Sequence, residues 1–173
     1  MGAFHAYTAT ISWTGAGETG TTSYTAYSRD HVVSVEGKPD ILASSDPAFR
    51  GDPARHNPEE LFVASLAQCH MLWFLHVAAQ ADVVITEYTD TPVGTMRVEA
   101  AGAGQFTEIE LRPKVTVADG TSDATLATLH EKAHAHCFIS RSVNFPVHVR
   151  PALHVGSATS DAPGGHSAAV TDA

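Results

Sequence analysis

The sequence predicts an α+β fold in a single domain. Three features carry that expectation. Apolar and polar residues alternate in the first third and again beyond residue 93, a capped apolar segment begins at Asn57, and apolar residues recur at helical spacing between Ser122 and Cys137. At 173 residues the chain can bury about two-thirds of the surface that its unfolded form exposes. The domain is expected to span residues 1–155. The stretch 156–173, "GSATSDAPGGHSAAVTDA", is small and polar and predicts a disordered tail.

Each element has its own signal. "FHAYTATISW" places Tyr7, Ala9, Ile11 and Trp13 on one face of a first strand. "TGAGETGTT" supplies a turn, "SYTAYS" a second strand and "HVVSVEG" a third. "KPDILASSDPAFRGDPARHNP" is rich in Pro, Asp and Ser and predicts a long connecting loop with one short apolar interruption. Asn57 then caps a helix, Pro58 suits its first turn, and Glu59 and Glu60 complement its positive end. Glu60, three residues after Asn57, makes a looser relative of the capping box. Leu61, Phe62, Leu66, Met71, Trp73 and Val77 surround the axis of this helix, which predicts burial on every side by a sheet and by a second helix or a second subunit. Sheet is expected again at "GTMRVEAAG" and at "QFTEIELRPKVTVA". A helix over 122–136, capped by Ser122, carries Leu126, Leu129, Ala133 and Cys137 at helical spacing, and "SVNFPVHVRP" is the last strand.

Composition narrows the function. Ten Lys and Arg stand against 19 Asp and Glu, a net charge of -9, which disfavours nucleic acid and anionic membranes as partners. The apolar run from Leu61 to Ala79 approaches membrane-spanning length, but it contains Ser65, Gln68, His70 and His76, has a strong cap and lacks a basic flank. It is therefore expected to be a core helix. "MGAFHAYTATISW" lacks the basic start and long apolar stretch of a signal peptide, so a cytoplasmic location is expected. There the two cysteines would be free or transiently paired.

Cys69 lies in the middle of the first helix and Cys137 at the end of the second, both in apolar surroundings. Two readings follow. Both could fill the core, as buried free cysteines commonly do. They could instead form a thiol pair where the helices pack, and then Cys69 needs a nearby cation, because an apolar pocket alone raises a thiol pKa.

"NPEELFVASLAQC", with "AHAHC" far downstream, resembles the family of osmotically inducible protein C and the organic hydroperoxide resistance proteins. The family pattern places a reactive Cys ten residues after the first Glu, here Glu59 and Cys69, and a second Cys that matches Cys137. The likeness covers most of residues 5 to 150. The resemblance implies antiparallel sheets wrapped around two buried central helices, in an intertwined homodimer with both sites at the interface. It also implies reduction of organic hydroperoxides. Cys69 would become a sulfenic acid, Cys137 would condense with it to a disulfide, an external dithiol would reopen that bond, and no cofactor would be required. A family Arg holds the thiolate. Arg29, in "YTAYSRDHVV", matches it, with Arg50 as the rival, and Glu59 would orient the Arg. Phe138 follows Cys137 where the family commonly has Pro. Apolar walls are expected from Phe62, Leu66, Trp73 and Phe138.

Helix geometry constrains this site. Ten residues at 1.5 Å each put Glu59 about 15 Å along the axis from Cys69. Either the helix breaks between them or Glu59 serves the site of a second subunit. A member of this family that has lost peroxidase turnover would be a redox-sensing or ligand-binding protein on the same fold, and two other function classes remain. His130 and His134 lie four apart on one helix face, a spacing that can chelate a transition metal, although no HExxH or CxxC accompanies them. A cysteine hydrolase would need a partner His other than His70, since adjacent helical residues point about 100° apart. No phosphate loop, dinucleotide fingerprint or serine nucleophile elbow is present in the sequence.

Overall fold

The structure is a computed structural model that describes residues 2–118, 120–152 and 155–156. Two helices, α1 (Pro58–Gln80) and α2 (Asp123–His136), pack on each other and on small sheets, so the fold is α+β as expected. The N-terminal sheet is antiparallel and contains β1 (Thr10–Trp13), β2 (His31–Ser34) and β3 (Ile41–Ala43) in that order. The remaining strands are β4 (Ile85–Thr89), β5 (Val93–Val98), β6 (Gly104–Leu111), β7 (Lys114–Val117), β8 (Val147–Val149) and β9 (Val155–Gly156). They form two sheets, ordered β4-β7-β9 and β5-β6-β8, in which β4–β7 and β5–β6 pair antiparallel while β8 and β9 join in parallel.

α1 is unbroken over its 23 residues and both ends are chemically specified. At the start, the Glu60 N–H donates to Asn57 Oδ1 at 2.8 Å and the Asn57 N–H donates to Glu60 Oε2 at 3.2 Å, a reciprocal capping box. At the end, Asp82 adopts φ 55°, its N–H donates to the Ala79 carbonyl, and the Val83 N–H donates to the Ala78 carbonyl. That pattern is a Schellman motif with Asp at the left-handed position.

The two halves of α1 serve two cores. Leu66 and Ala67 pack against Ile109 and Leu111 of β6. Phe74, Val77 and Ala78 pack with Val115 and Val117 of β7 and with Leu126, Leu129 and Ala133 of α2. Burying Leu66 or Phe74 completely is worth about 1.5–3 kcal/mol each. By length and composition α1 could cross a membrane, yet its two core-facing patches place it inside the domain.

Several expectations are corrected. "SYTAYS" is not a strand but a series of turns, because the Arg29 guanidinium draws the Tyr24 and Tyr27 carbonyls around itself and the Ala26 N–H closes onto Ser23. The expected loop over 38–58 contains β3 and a short 3-10 turn, Pro47–Phe49. The single strand expected at "QFTEIELRPKVTVA" is two strands in different sheets, interrupted at Pro113, which has no N–H for a ladder. β4 forms in a segment for which the sequence reading expects no element. The helix α1 is not covered on every side by its own chain: Ala64, Gln68, Leu72 and His76 are exposed along one stripe. The expected tail lies outside the described residues, apart from Gly156 at the end of β9.

Candidate active site

The α1–α2 contact brings Cys69 and Cys137 together. Both are free thiols, Cys69 half-buried and Cys137 fully buried. Cys137 ends α2, where its N–H donates to the His134 carbonyl and its backbone turns extended. The Ser140 N–H donates to Cys137 Sγ at 3.4 Å. Burial pushes the Cys137 thiol up to about 11; a hydrogen bond and charge from Cys69 act in the same direction, against the N–H groups of Ser140 and Ile139. Cys137 is thus a neutral thiol near pH 7. Cys69 is the more accessible residue of the pair.

Around this pair lies an aromatic cluster. Trp73, one helical turn after Cys69, meets Phe138 edge to face at 5.5 Å, and His76 and His136 pack on the same indole at 5.5 and 5.1 Å. Phe138 is 68% exposed. Trp73 and Phe138 therefore do form an apolar surface together. Phe62 and Leu66 do not join them. Leu66 is fully buried, and Phe62 packs with Phe106 and Phe145 in the core under β6, because at about 1.5 Å per residue they lie roughly 10 and 16 Å along the axis of α1 from Trp73.

Glu59 occupies the first turn of α1, where it borders a cavity of about 520 Å³ with Asp46, Asn57 and Glu60 at its polar rim and Val63, Met96 and Phe106 at its apolar floor. One carboxylate oxygen of Glu59, Oε2, is buried without a hydrogen-bond partner. Since α1 is continuous, the first of the two geometric options fails: no helix break brings Glu59 to Cys69 of the same chain.

Both candidate arginines converge on Tyr24. The Arg29 guanidinium donates to the Tyr27 and Tyr24 carbonyls at 2.8 and 2.9 Å and lies 4.2 and 4.4 Å from the centres of those two rings. Arg50 closes the short 3-10 turn with φ 68° and sits 5.9 Å from the Tyr24 ring. Among the described residues neither arginine forms an ion pair with Glu59 within the chain. The tyrosine platform and the Ser140 N–H at the second thiol were not singled out from sequence. The "YTAYSR" spacing was the available signal for the first.

The histidines also meet at the helix contact. His70 and His130 are buried and joined by a 3.1 Å hydrogen bond between Nε2 of the first and Nδ1 of the second. His134 lies one turn beyond His130. Among the described residues no group of three or more His, Cys, Asp or Glu side chains is arranged to hold a metal ion.

Residues 51–151 match the family model described as OsmC-like protein. Among solved structures, the chain is similar to an OsmC-like protein of unknown function from Vibrio cholerae, with 32% identity, TM-score 0.77, and coverage of 86% of this chain and 100% of that one. An organic hydroperoxide resistance protein from Elizabethkingia anophelis, with thiocyanate bound, shares 21% identity and a TM-score of 0.64 over 90% of this chain and 99% of its own. An organic hydroperoxide resistance protein OsmC from Legionella pneumophila shares 19% identity and a TM-score of 0.66 over 89% and 100%. No curated protein matches the chain.

Proposed function

Because the chain belongs to the OsmC-like family, we propose that it is a cysteine-based peroxidase that reduces organic hydroperoxides to alcohols. The observation that carries the reading is the thiol pair, with a half-exposed Cys69 against a buried, protonated Cys137. The Cys69 thiolate attacks the terminal peroxide oxygen, the O–O bond breaks, and the departing alkoxide takes up a proton to leave as alcohol. Cys69 is then a sulfenic acid. The Cys137 sulfur attacks it, hydroxide leaves with the Cys137 proton as water, and a Cys69–Cys137 disulfide forms. Thiol exchange with an external dithiol restores both thiols. No bound cofactor enters this cycle.

The working unit is an intertwined homodimer. Three features support it: the bare stripe of α1 next to Cys69, the wholly exposed strand β1, and a Glu59 carboxylate oxygen buried without a partner. In the dimer Glu59 pairs with an arginine, Arg29 by the family pattern, which stabilises the thiolate and polarises the peroxide. Trp73 and Phe138 face the organic tail of the substrate. The enzyme acts in the cytoplasm, without nucleic acid or membrane as partner.

Intact-protein mass spectrometry of wild type and Cys69→Ser, after an organic hydroperoxide without reductant, tests the reading. The expected result is loss of two mass units in wild type alone, mapped to a Cys69–Cys137 bridge, and peroxide consumption over many cycles once a dithiol is supplied. An unchanged mass with peroxide left intact overturns it. A bridge that forms once and is not turned over by any dithiol would replace the enzyme with a redox sensor on the same fold.

A further inference from the structure

On the other side of α2 from the aromatic cluster, His130, Glu131 and His134 border a cavity of about 280 Å³ walled by Ala127, Val149 and Pro151. His130 is only 3% exposed. Its ring stacks on Phe74 at 4.1 Å, and its Nδ1 faces His70 Nε2, while its opposite nitrogen, Nε2, is buried and unpartnered. His134 Nδ1 is likewise buried without a partner. Two unsatisfied imidazole nitrogens beside one cavity are costly unless something occupies them.

The geometry points to a divalent transition-metal site at this cavity, with His130 Nε2 and an imidazole nitrogen of His134 as its two protein ligands and His70 as the residue that orients His130.

Residues four apart on a helix lie on the same face, so the two imidazoles can approach one ion. The His70 and His130 rings are nearly parallel, 5° apart, and their centres are 5.4 Å apart although the nitrogens are at 3.1 Å, so they meet edge to edge. When His130 Nδ1–H donates to His70 Nε2, the single proton of a neutral His130 is on Nδ1 and Nε2 keeps a lone pair that no protein donor uses. This is the usual arrangement of a metal-ligating histidine, whose other nitrogen donates to a fixed acceptor. Imidazole donors favour nickel, copper and zinc over magnesium or calcium. The Glu131 carboxylate adds negative charge at the rim, and water completes the coordination, in keeping with the lack of a third protein ligand among the described residues. The assignment does not depend on the peroxidase reading.

Calorimetric titration of the untagged protein with Ni²⁺ and Zn²⁺ tests it, using wild type, His134→Ala and Cys69→Ser. His134 is half-exposed, so its truncation leaves the core intact, which far-UV circular dichroism verifies. One ion per chain is expected in wild type and Cys69→Ser alike, with affinity weakened about tenfold or more in His134→Ala, since even losing an orienting partner of a ligand costs that much. No binding in wild type overturns the site. So does affinity unchanged in His134→Ala, or affinity lost in Cys69→Ser, which would make the thiols the ligands.

Discussion

His70 and His130 meet across the α1–α2 contact with 3.1 Å between Nε2 and Nδ1, both rings out of reach of solvent. Burial lowers the pKa of His70 to about 3, with the neighbouring His130 and His134 adding to the shift, and lowers that of His130 to about 4. Both folded values lie below the ordinary 6.5, so the unfolded chain binds more protons in between. The contribution of the pair to stability is complete above pH 6.5 and declines as pH falls toward 4 and 3. The loss is on the order of a few kcal/mol per histidine, at about 1.4 kcal/mol per pH unit.

Replacing the pair with phenylalanines, which at position 130 keeps a ring stacked on Phe74, is expected to flatten this acid limb. Urea midpoints at pH 7, 5.5 and 4.5 measure it. Equal slopes for wild type and the His70→Phe/His130→Phe variant would show that the loss of stability originates elsewhere.

The thiol pair predicts selective alkylation. Cys137 is fully buried and its thiol is pushed up to about 11, so iodoacetamide at pH 7.5 should add one label to the native protein, at Cys69. Cys69→Ser should take up none on the same timescale. Labelling at Cys137 as fast as at Cys69, followed by peptide mapping, would contradict the assigned burial and protonation.

Asp82 holds a left-handed conformation, φ 55°, just past the end of α1. It sits where the helix carbonyls already carry negative charge. Asp82→Gly removes both the steric cost and the like charge, and a stabilisation of about 0.5–1 kcal/mol is expected in chemical denaturation. A loss of stability would mean that the aspartate makes a compensating interaction.

Leu72 is 61% exposed on the bare stripe of α1. If a second copy covers this stripe, sedimentation equilibrium should report twice the chain mass for wild type, and Leu72→Lys should shift the equilibrium toward the monomer, because a charge would be desolvated at the interface. A wild type that sediments as a monomer at micromolar concentration removes the dimer from the proposed cycle.

The sequence by itself determined the two helices and their ends, since caps and helical periodicity are local: Asn57 and Glu60, and Ser122 and Thr125, need only their own neighbours. It determined the family in the same way, through the spacing of Glu59 and Cys69 on one helix and a second cysteine at the end of the other. The strands were less legible. Alternation marked β2 and β6, but only tertiary contacts decided that Ser23–Ser28 curls around Arg29 rather than pairing, and that the chain leaves one sheet at Pro113 to enter another. The neighbours of a side chain were also beyond sequence reading. Phe62 and Leu66 were expected beside Trp73, and the three share one face of α1, but a rise of about 1.5 Å per residue sets them roughly 16 and 10 Å along the axis from it, in the core that packs on β6. The buried hydrogen bond of His70 to His130 spans 60 positions, and the neutrality of both rings follows from low-dielectric surroundings that only packing creates. Local chemistry is written along the chain, whereas desolvation depends on which distant residues exclude the water.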